Sequence, residues 1–101
     1  MEITYRKDKE NLIFWLSGEL DHHNARLVRD SLDGVIDKNN FKSVIFDFKK
    51  LSFMDSTGIG VLLGRYKRLK ERNASVYVQN AEGSIDKLLK LSGIYNVFIK
   101  L

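Results

Sequence analysis

Two adjacent hydroxyls, Ser56 and Thr57, follow the carboxylate of Asp55 and precede two closely spaced glycines, Gly58 and Gly60. Such a cluster serves an activated nucleophile, a phosphate cradle, or a hydroxyl held out for covalent modification. Spacing removes most versions of the first two. Asp55-Ser56-Thr57-Gly58 has one residue too many for the Asp-Thr/Ser-Gly loop of aspartic proteases, and no second copy supplies the other half of a carboxylate dyad. A hydrolase nucleophile elbow needs glycine two residues before the serine, where this chain has Met54. Gly60 and Gly64 are not followed by the Gly-Lys-Ser/Thr of a P-loop. Gly58-x-Gly60-x-x-x-Gly64 misses the dinucleotide fingerprint by one position and lies inside a helical pattern instead of before it. A modifiable side chain at a helix start remains, beside the plainer reading that Asp55, Ser56 and Thr57 only cap a helix.

The elements around the cluster decide how it is presented. Val44-Ile45-Phe46-Asp47-Phe48 is a β-branched and aromatic run ended by Lys49-Lys50 and reads as a buried strand. Ile59, Leu62, Leu63, Tyr66 and Leu69 recur on one helical face, so a helix runs from the cluster to about Arg72. Gly58, Gly60 and Gly64 each weaken that helix by about 1 kcal/mol relative to alanine. Bare backbone must therefore serve close packing on a sheet or the approach of a partner.

Elsewhere, Ile3 to Arg6 and Leu12 to Leu16 flank the polar turn Lys7 to Asn11 and predict a β-hairpin. A first helix is expected from Asp21, as its N-cap, to about Lys38, burying Ala25, Val28, Leu32, Val35 and Ile36. A strand near Ser75 to Gln79, a helix near Ser84 to Leu91 stopped by Gly93, and a short segment Val97-Phe98-Ile99 complete the order. Alternating strands and helices imply a mostly parallel sheet, made mixed by the hairpin, in one domain over residues 1–101. One set of alternating positions, Leu12, Phe14, Leu16, Val44, Phe46, Phe48, Val76 and Val78, is wholly apolar. The other set contains Ile13, Trp15, Ile45, Asp47, Tyr77 and Gln79. Helices should cover the first face, giving two layers, with the second either partly exposed or covered by an oligomer partner such as a second copy, a homodimer. Asp21 follows the strand ending near Ser17-Gly18 and Ser56 lies beyond Val44 to Phe48, so both should reach the carboxyl edge of the sheet, where partners bind.

Composition narrows the class. With 44% hydrophobic and 30% charged residues the chain is of ordinary globular type. Met1-Glu2-Ile3-Thr4-Tyr5 enters the alternating pattern without a basic leader, and no apolar run is long enough to span a membrane. No cysteine is present, which removes disulfides, thiolate metal sites and thiol catalysis and agrees with a cytoplasmic location. His22 and His23 are the only histidines; adjacent helical residues point roughly 100° apart, so they read as surface residues and neither metal nor cofactor is expected. The formal charge of +4 is interleaved with acids. Its densest group, Arg65, Lys67, Arg68, Lys70 and Arg72, reads as a solvated helix face and not as a nucleic-acid site.

Asp55 to Lys67, with Gly18-Glu19-Leu20-Asp21-His22-His23-Asn24-Ala25, resembles the two recurrent blocks of STAS domains, specifically the sporulation-type anti-sigma-factor antagonists. The resemblance covers essentially the whole chain. It implies a two-layer α/β fold with a mixed, mostly parallel sheet of four to five strands, an N-terminal hairpin and helices mainly on one face. It implies a non-enzymatic partner switch in transcription regulation: the unphosphorylated form binds an anti-sigma factor with serine kinase activity and releases the sigma factor. The kinase phosphorylates Ser56, which switches binding off, and a serine phosphatase reverses this. Asp21 and Asp55 match the acidic residues beside the acceptor, and Thr57 stands where some members carry a second serine. The partner surface is then expected from Asp21, Asn24, Asp55, Ser56, Thr57, Gly58, Ile59 and Gly60. Alternative readings are a STAS subunit of another regulatory or transport complex and a weak nucleotide-binding module.

Overall fold

A computed structural model describes residues 1–101. The elements in chain order are β1 (Glu2–Asp8), β2 (Asn11–Leu20), α1 (Ala25–Lys38), β3 (Ser43–Asp47), β4 (Leu51–Met54), α2 (Ser56–Glu71), β5 (Ser75–Gln79), α3 (Gly83–Ser92), a 3₁₀ turn (Ile94–Asn96) and β6 (Ile99–Lys100). The main sheet path is β1-β2-β3-β5-β6, with β4 paired to β2 off that path. Only β1 runs antiparallel to its neighbour. The hairpin turn is tighter than the expected Lys7 to Asn11 segment: pairing continues to Asp8↔Asn11. Lys7 and Asp8 tolerate strand geometry because β1 is an edge strand whose side chains reach solvent.

β2 does two jobs along its length. Asn11 to Trp15 pair with β3, and Gly18 to Leu20 pair with β4, with a register irregularity between Gly18 and Glu19. Ser52 Oγ donates to the Gly18 carbonyl at 2.9 Å and Gly18 N–H donates to Lys50 O at 3.1 Å, pinning the bend. The register Leu20↔Met54 ends both strands side by side.

The apolar positions Leu12, Phe14, Leu16, Val44, Phe46, Val76 and Val78 are buried beneath the helices. Phe46 stacks on Phe14, Phe48 and Phe98 at centroid distances of 5.6, 6.3 and 6.0 Å. These residues belong to one core cluster of 22 side chains, to which α1 adds Val28, Leu32 and Ile36 and α2 adds Ile59, Val61, Leu62 and Leu69. On the open face, Ile13, Ile45, Tyr77 and Ile99 fall in one register row across β2, β3, β5 and β6.

Two expectations are corrected. Asp21 is not the cap of α1: the helix begins at Ala25 with Asn24 as N-cap, and Asp21 Oδ1 accepts from Asn24 N at 3.0 Å, closing the preceding turn. The basic group on α2 is not a uniform solvated face. Lys67 and Lys70 are exposed, whereas the arginines cross to α1. Arg65 is buried, Arg68 donates to Asp37 Oδ1 at 2.6 Å, and Arg72 donates to the Ile36 and Asn39 carbonyls at 2.5 and 2.7 Å. The Arg72 guanidinium also lies 4.3 Å from the Phe41 ring centroid. Their planar forks satisfy carbonyls and carboxylates that a lysine ammonium would reach less well.

At the other end of the sheet, Gly93 ends α3 in the left-handed conformation at φ 80°, which glycine adopts without a Cβ penalty. Asp86 then gathers the C-terminal segment, accepting from Tyr95 Oη at 2.6 Å and Lys100 Nζ at 3.0 Å and pairing with Lys90 at 3.2 Å. No helix is long and apolar enough to cross a membrane.

Candidate functional site

Because Leu20 and Met54 are register partners, the residues that follow them, Asp21 and Asp55, leave the sheet together. The Asp55 carboxylate ties the two exits. Its Oδ1 accepts from Gly58 N at 3.0 Å, capping α2, and its Oδ2 accepts from His22 N at 3.2 Å, in the loop before α1. Extended backbone at Asp55 (φ −118°, ψ −173°) and its carboxylate against the first free N–H groups make it an N-cap, and the negative charge complements the helix dipole there. The loop itself is held by Asp21 on the Asn24 N–H and by Asn24 Nδ2 donating to Glu19 O at 2.9 Å.

Ser56 is the first residue of α2 and is exposed. Thr57 is half-buried. Gly58 and Ile59 turn inward: a Cβ on Gly58 would lie 2.6 Å from the Leu20 carbonyl oxygen and 2.8 Å from Met54 Cγ, and Ile59 belongs to the core. Gly60 turns outward, and a Cβ there would meet nothing within 4 Å. The eight expected site residues therefore divide: Ser56, Gly60 and half-buried Thr57 present a surface, Asp21, Asn24 and Asp55 hold it, and Gly58 and Ile59 seat it on β2 and β4.

A groove of ≈ 610 Å³ between α1 and α2 adjoins this surface and is lined by Thr57, Gly60, Arg26, Arg29 and Arg65, among others. Sequence reasoning missed Arg65. It is 7% exposed and sets Nε 2.8 Å from Asp33 Oδ1, an ion pair whose angle is poor for a hydrogen bond, while its buried Nη1 has no hydrogen-bond partner. Burial pushes its pKa down against the opposing pull of Asp33. Burial acts the same way on Arg68, but its pairs with Asp33 and Asp37 outweigh that and raise it. The signal that would have found Arg65 is its spacing, four residues from both Val61 and Leu69 on the inward face.

A second hollow of ≈ 330 Å³ opens on the uncovered sheet face around Trp15, Asp47, Lys49 and Lys50 and contains none of the expected site residues. Asp47 there is satisfied by Lys49 N, Gln79 Nε2 and Asn80 Nδ2, each at 2.9 Å, so its burial is structural. No three His, Cys, Asp or Glu side chains converge as a metal site would require.

Comparison with known proteins places this geometry. The STAS-domain family model matches residues 2–101. An anti-sigma F factor antagonist of Paenibacillus polymyxa is 35% identical over 97 residues, 96% of this chain and 83% of that protein. The solved anti-sigma factor antagonist SpoIIAA in its unphosphorylated form superposes with a TM-score of 0.82 at 28% identity, covering 99% of this chain and 88% of that one. The phosphorylated form of the Bacillus cell-fate determinant SpoIIAA superposes with a TM-score of 0.74 at 28% identity, covering 99% and 91%.

Proposed function

The chain belongs to the STAS-domain family, as an anti-sigma-factor antagonist of the sporulation-associated type, and from that premise we propose that it works as a single switch domain whose on and off states differ by one phosphate on Ser56. It is regulatory and not catalytic. The unphosphorylated chain binds an anti-sigma factor that is also a serine kinase, freeing the sigma factor; a serine phosphatase restores the form that binds.

The observation that carries this reading is the shared exit of β2 and β4. It leaves Ser56 exposed at the first position of α2, with Asp21 and Asp55 beside it. The two carboxylates act by position: each is bonded to backbone N–H groups, so they fix the loop and the helix end around the hydroxyl. A phosphate on Ser56 would bring about −1.5 to −2 charge to a helix N-terminus, whose free N–H groups and dipole favour anions. The fold therefore tolerates it. A partner does not: one like-charge contact at about 4 Å costs about 4 kcal/mol at an effective dielectric near 20, close to three decades of affinity. Repulsion at the interface is a sufficient switch.

The test is to mix the purified chain with anti-sigma kinases and ATP and to locate the phosphate by mass spectrometry. Ser56 should carry it, Ser56→Ala should bind the kinase in the presence of ATP without being released, and Ser56→Asp should fold but bind weakly. Phosphorylation of Ser56→Ala at the wild-type rate would refute the acceptor assignment.

A further inference from the structure

The α1/α2 groove brings His22, Arg26, Arg29 and Arg65 to one surface and no carboxylate. The acids nearby are already engaged: Asp33 with Arg65 and Arg68, Asp37 with Arg68, Asp30 with its neighbour Arg29. Arg26 has no ion-pair partner within the chain. Arg65 keeps an unpartnered guanidinium nitrogen although it is 93% buried. An unpaired buried donor is costly; Asp33 offsets the guanidinium charge but leaves that Nη1 donor without a hydrogen bond. Gly60 adds bare backbone that no internal contact uses. Arginine pairs bidentately with oxyanions, so an anion is the matching occupant.

Its size points to a protein. Thr57 and Arg65 both line the groove and are separated by eight residues of α2, about 12 Å along the axis. One phosphate cannot bridge that length, whereas spaced carboxylates on a chain segment can. The groove also starts one residue after Ser56 and so continues the surface assigned above.

We infer that this groove seats an acidic segment of the protein partner, its carboxylates facing Arg26, Arg29 and Arg65 and its backbone close to Gly60. The inference rests on the partner-switch reading and identifies the chemistry of the partner's surface. It also explains why phosphate at Ser56 repels: the approaching segment already carries negative charge.

The experiment is titration calorimetry of the full chain with its anti-sigma factor at about 50 mM and about 500 mM salt, for wild type, Ser56→Asp and the double reversal Arg26→Glu/Arg29→Glu. The double variant should bind at least ~30-fold more weakly at low salt, with the deficit shrinking to a few-fold at high salt. Arg26→Glu alone, which breaks no internal ion pair, should act in the same direction and decides the matter if the double variant is unstable. Binding unaffected by the reversals but lost in Ser56→Asp would overturn the groove assignment and leave the switch standing. A deficit equal at both salts would overturn the acidic segment. A wild-type chain that binds no anti-sigma factor would overturn both. Saturation of the groove amides by inorganic phosphate below about 1 mM, with partner binding indifferent to the reversals, would make it a small-anion site instead.

Discussion

Asp55 uses both carboxylate oxygens on backbone N–H groups, one from the first turn of α2 and one from the loop before α1, so its contribution to Ser56 is to hold the ground on which the hydroxyl stands. The glycines around it sit in opposite environments, which their equal cost to the helix conceals. Gly58→Ala would drive a methyl into the Leu20 carbonyl and the Met54 side chain and should destabilise the chain by about 1 to 3 kcal/mol in chemical denaturation. Gly60→Ala places its methyl in open space, so it should raise stability by up to about 1 kcal/mol while weakening partner binding. A loss of stability in Gly60→Ala would show that its bare backbone serves the fold. The strand-to-helix junction was legible because cap residues, glycines and an apolar period coincide there. Arg65 was missed, since an arginine amid basic residues defaults to solvent, although its spacing of four from Val61 and Leu69 puts it on the inward face, where it pairs with Asp33 on another helix.

Among the elements, β4 escaped the sequence. Its four residues run buried-exposed-exposed-buried, without the alternation that marks a strand and over too short a span to mark anything else, and it exists because the end of β2 offers it unpaired backbone. Asp21 was misread for a related reason: a carboxylate that caps a turn and one that caps a helix look alike in sequence, and Asn24 supplied the actual boundary. The attachment of β6 and the 3₁₀ turn to α3 is open to a pH test. Hydrogen bonds from Tyr95 first, then Lys100 and Lys90, lower the Asp86 pKa from 3.8 to about 2. Burial and the same hydrogen bond raise the Tyr95 hydroxyl. A carboxylate whose folded pKa is depressed contributes fully above pH 3.8 and loses that contribution as pH falls through about 2. Amide exchange at Phe98 to Lys100 should therefore accelerate relative to the central strands between pH 4 and 2. Tyr95→Phe should shift that acceleration to higher pH. Uniform acceleration across the sheet would mean that Asp86 does not hold this segment separately.

At the scale of the molecule, the two-layer plan followed from one comparison, the wholly apolar set of strand positions against the mixed set, because the helices can bury only one face of the sheet. A mostly parallel sheet of four to five strands was legible from the strand runs; its order was not, and the sixth strand, β4, lies off the main path. The core runs beneath α1 and α2 and does not include Ser56, which is exposed. Phosphorylated chain should accordingly give an amide NMR spectrum changed only in the Asp21 to Asn24 loop and the first turns of α2, with a Tm within a few degrees of the unmodified form. Shifts spread through β3 and β5 would instead require a conformational switch.

Trp15 is the chain's one tryptophan, and it lies half-buried on the sheet face that the helices leave uncovered, away from the helix-side surface assigned to the partner. The protein thus has an intrinsic fluorophore that responds to loss of the sheet and is shielded from traffic at Ser56. Emission from the unlabelled chain can follow its integrity while the switch is cycled, so unfolding and signalling are optically separable in the same cuvette.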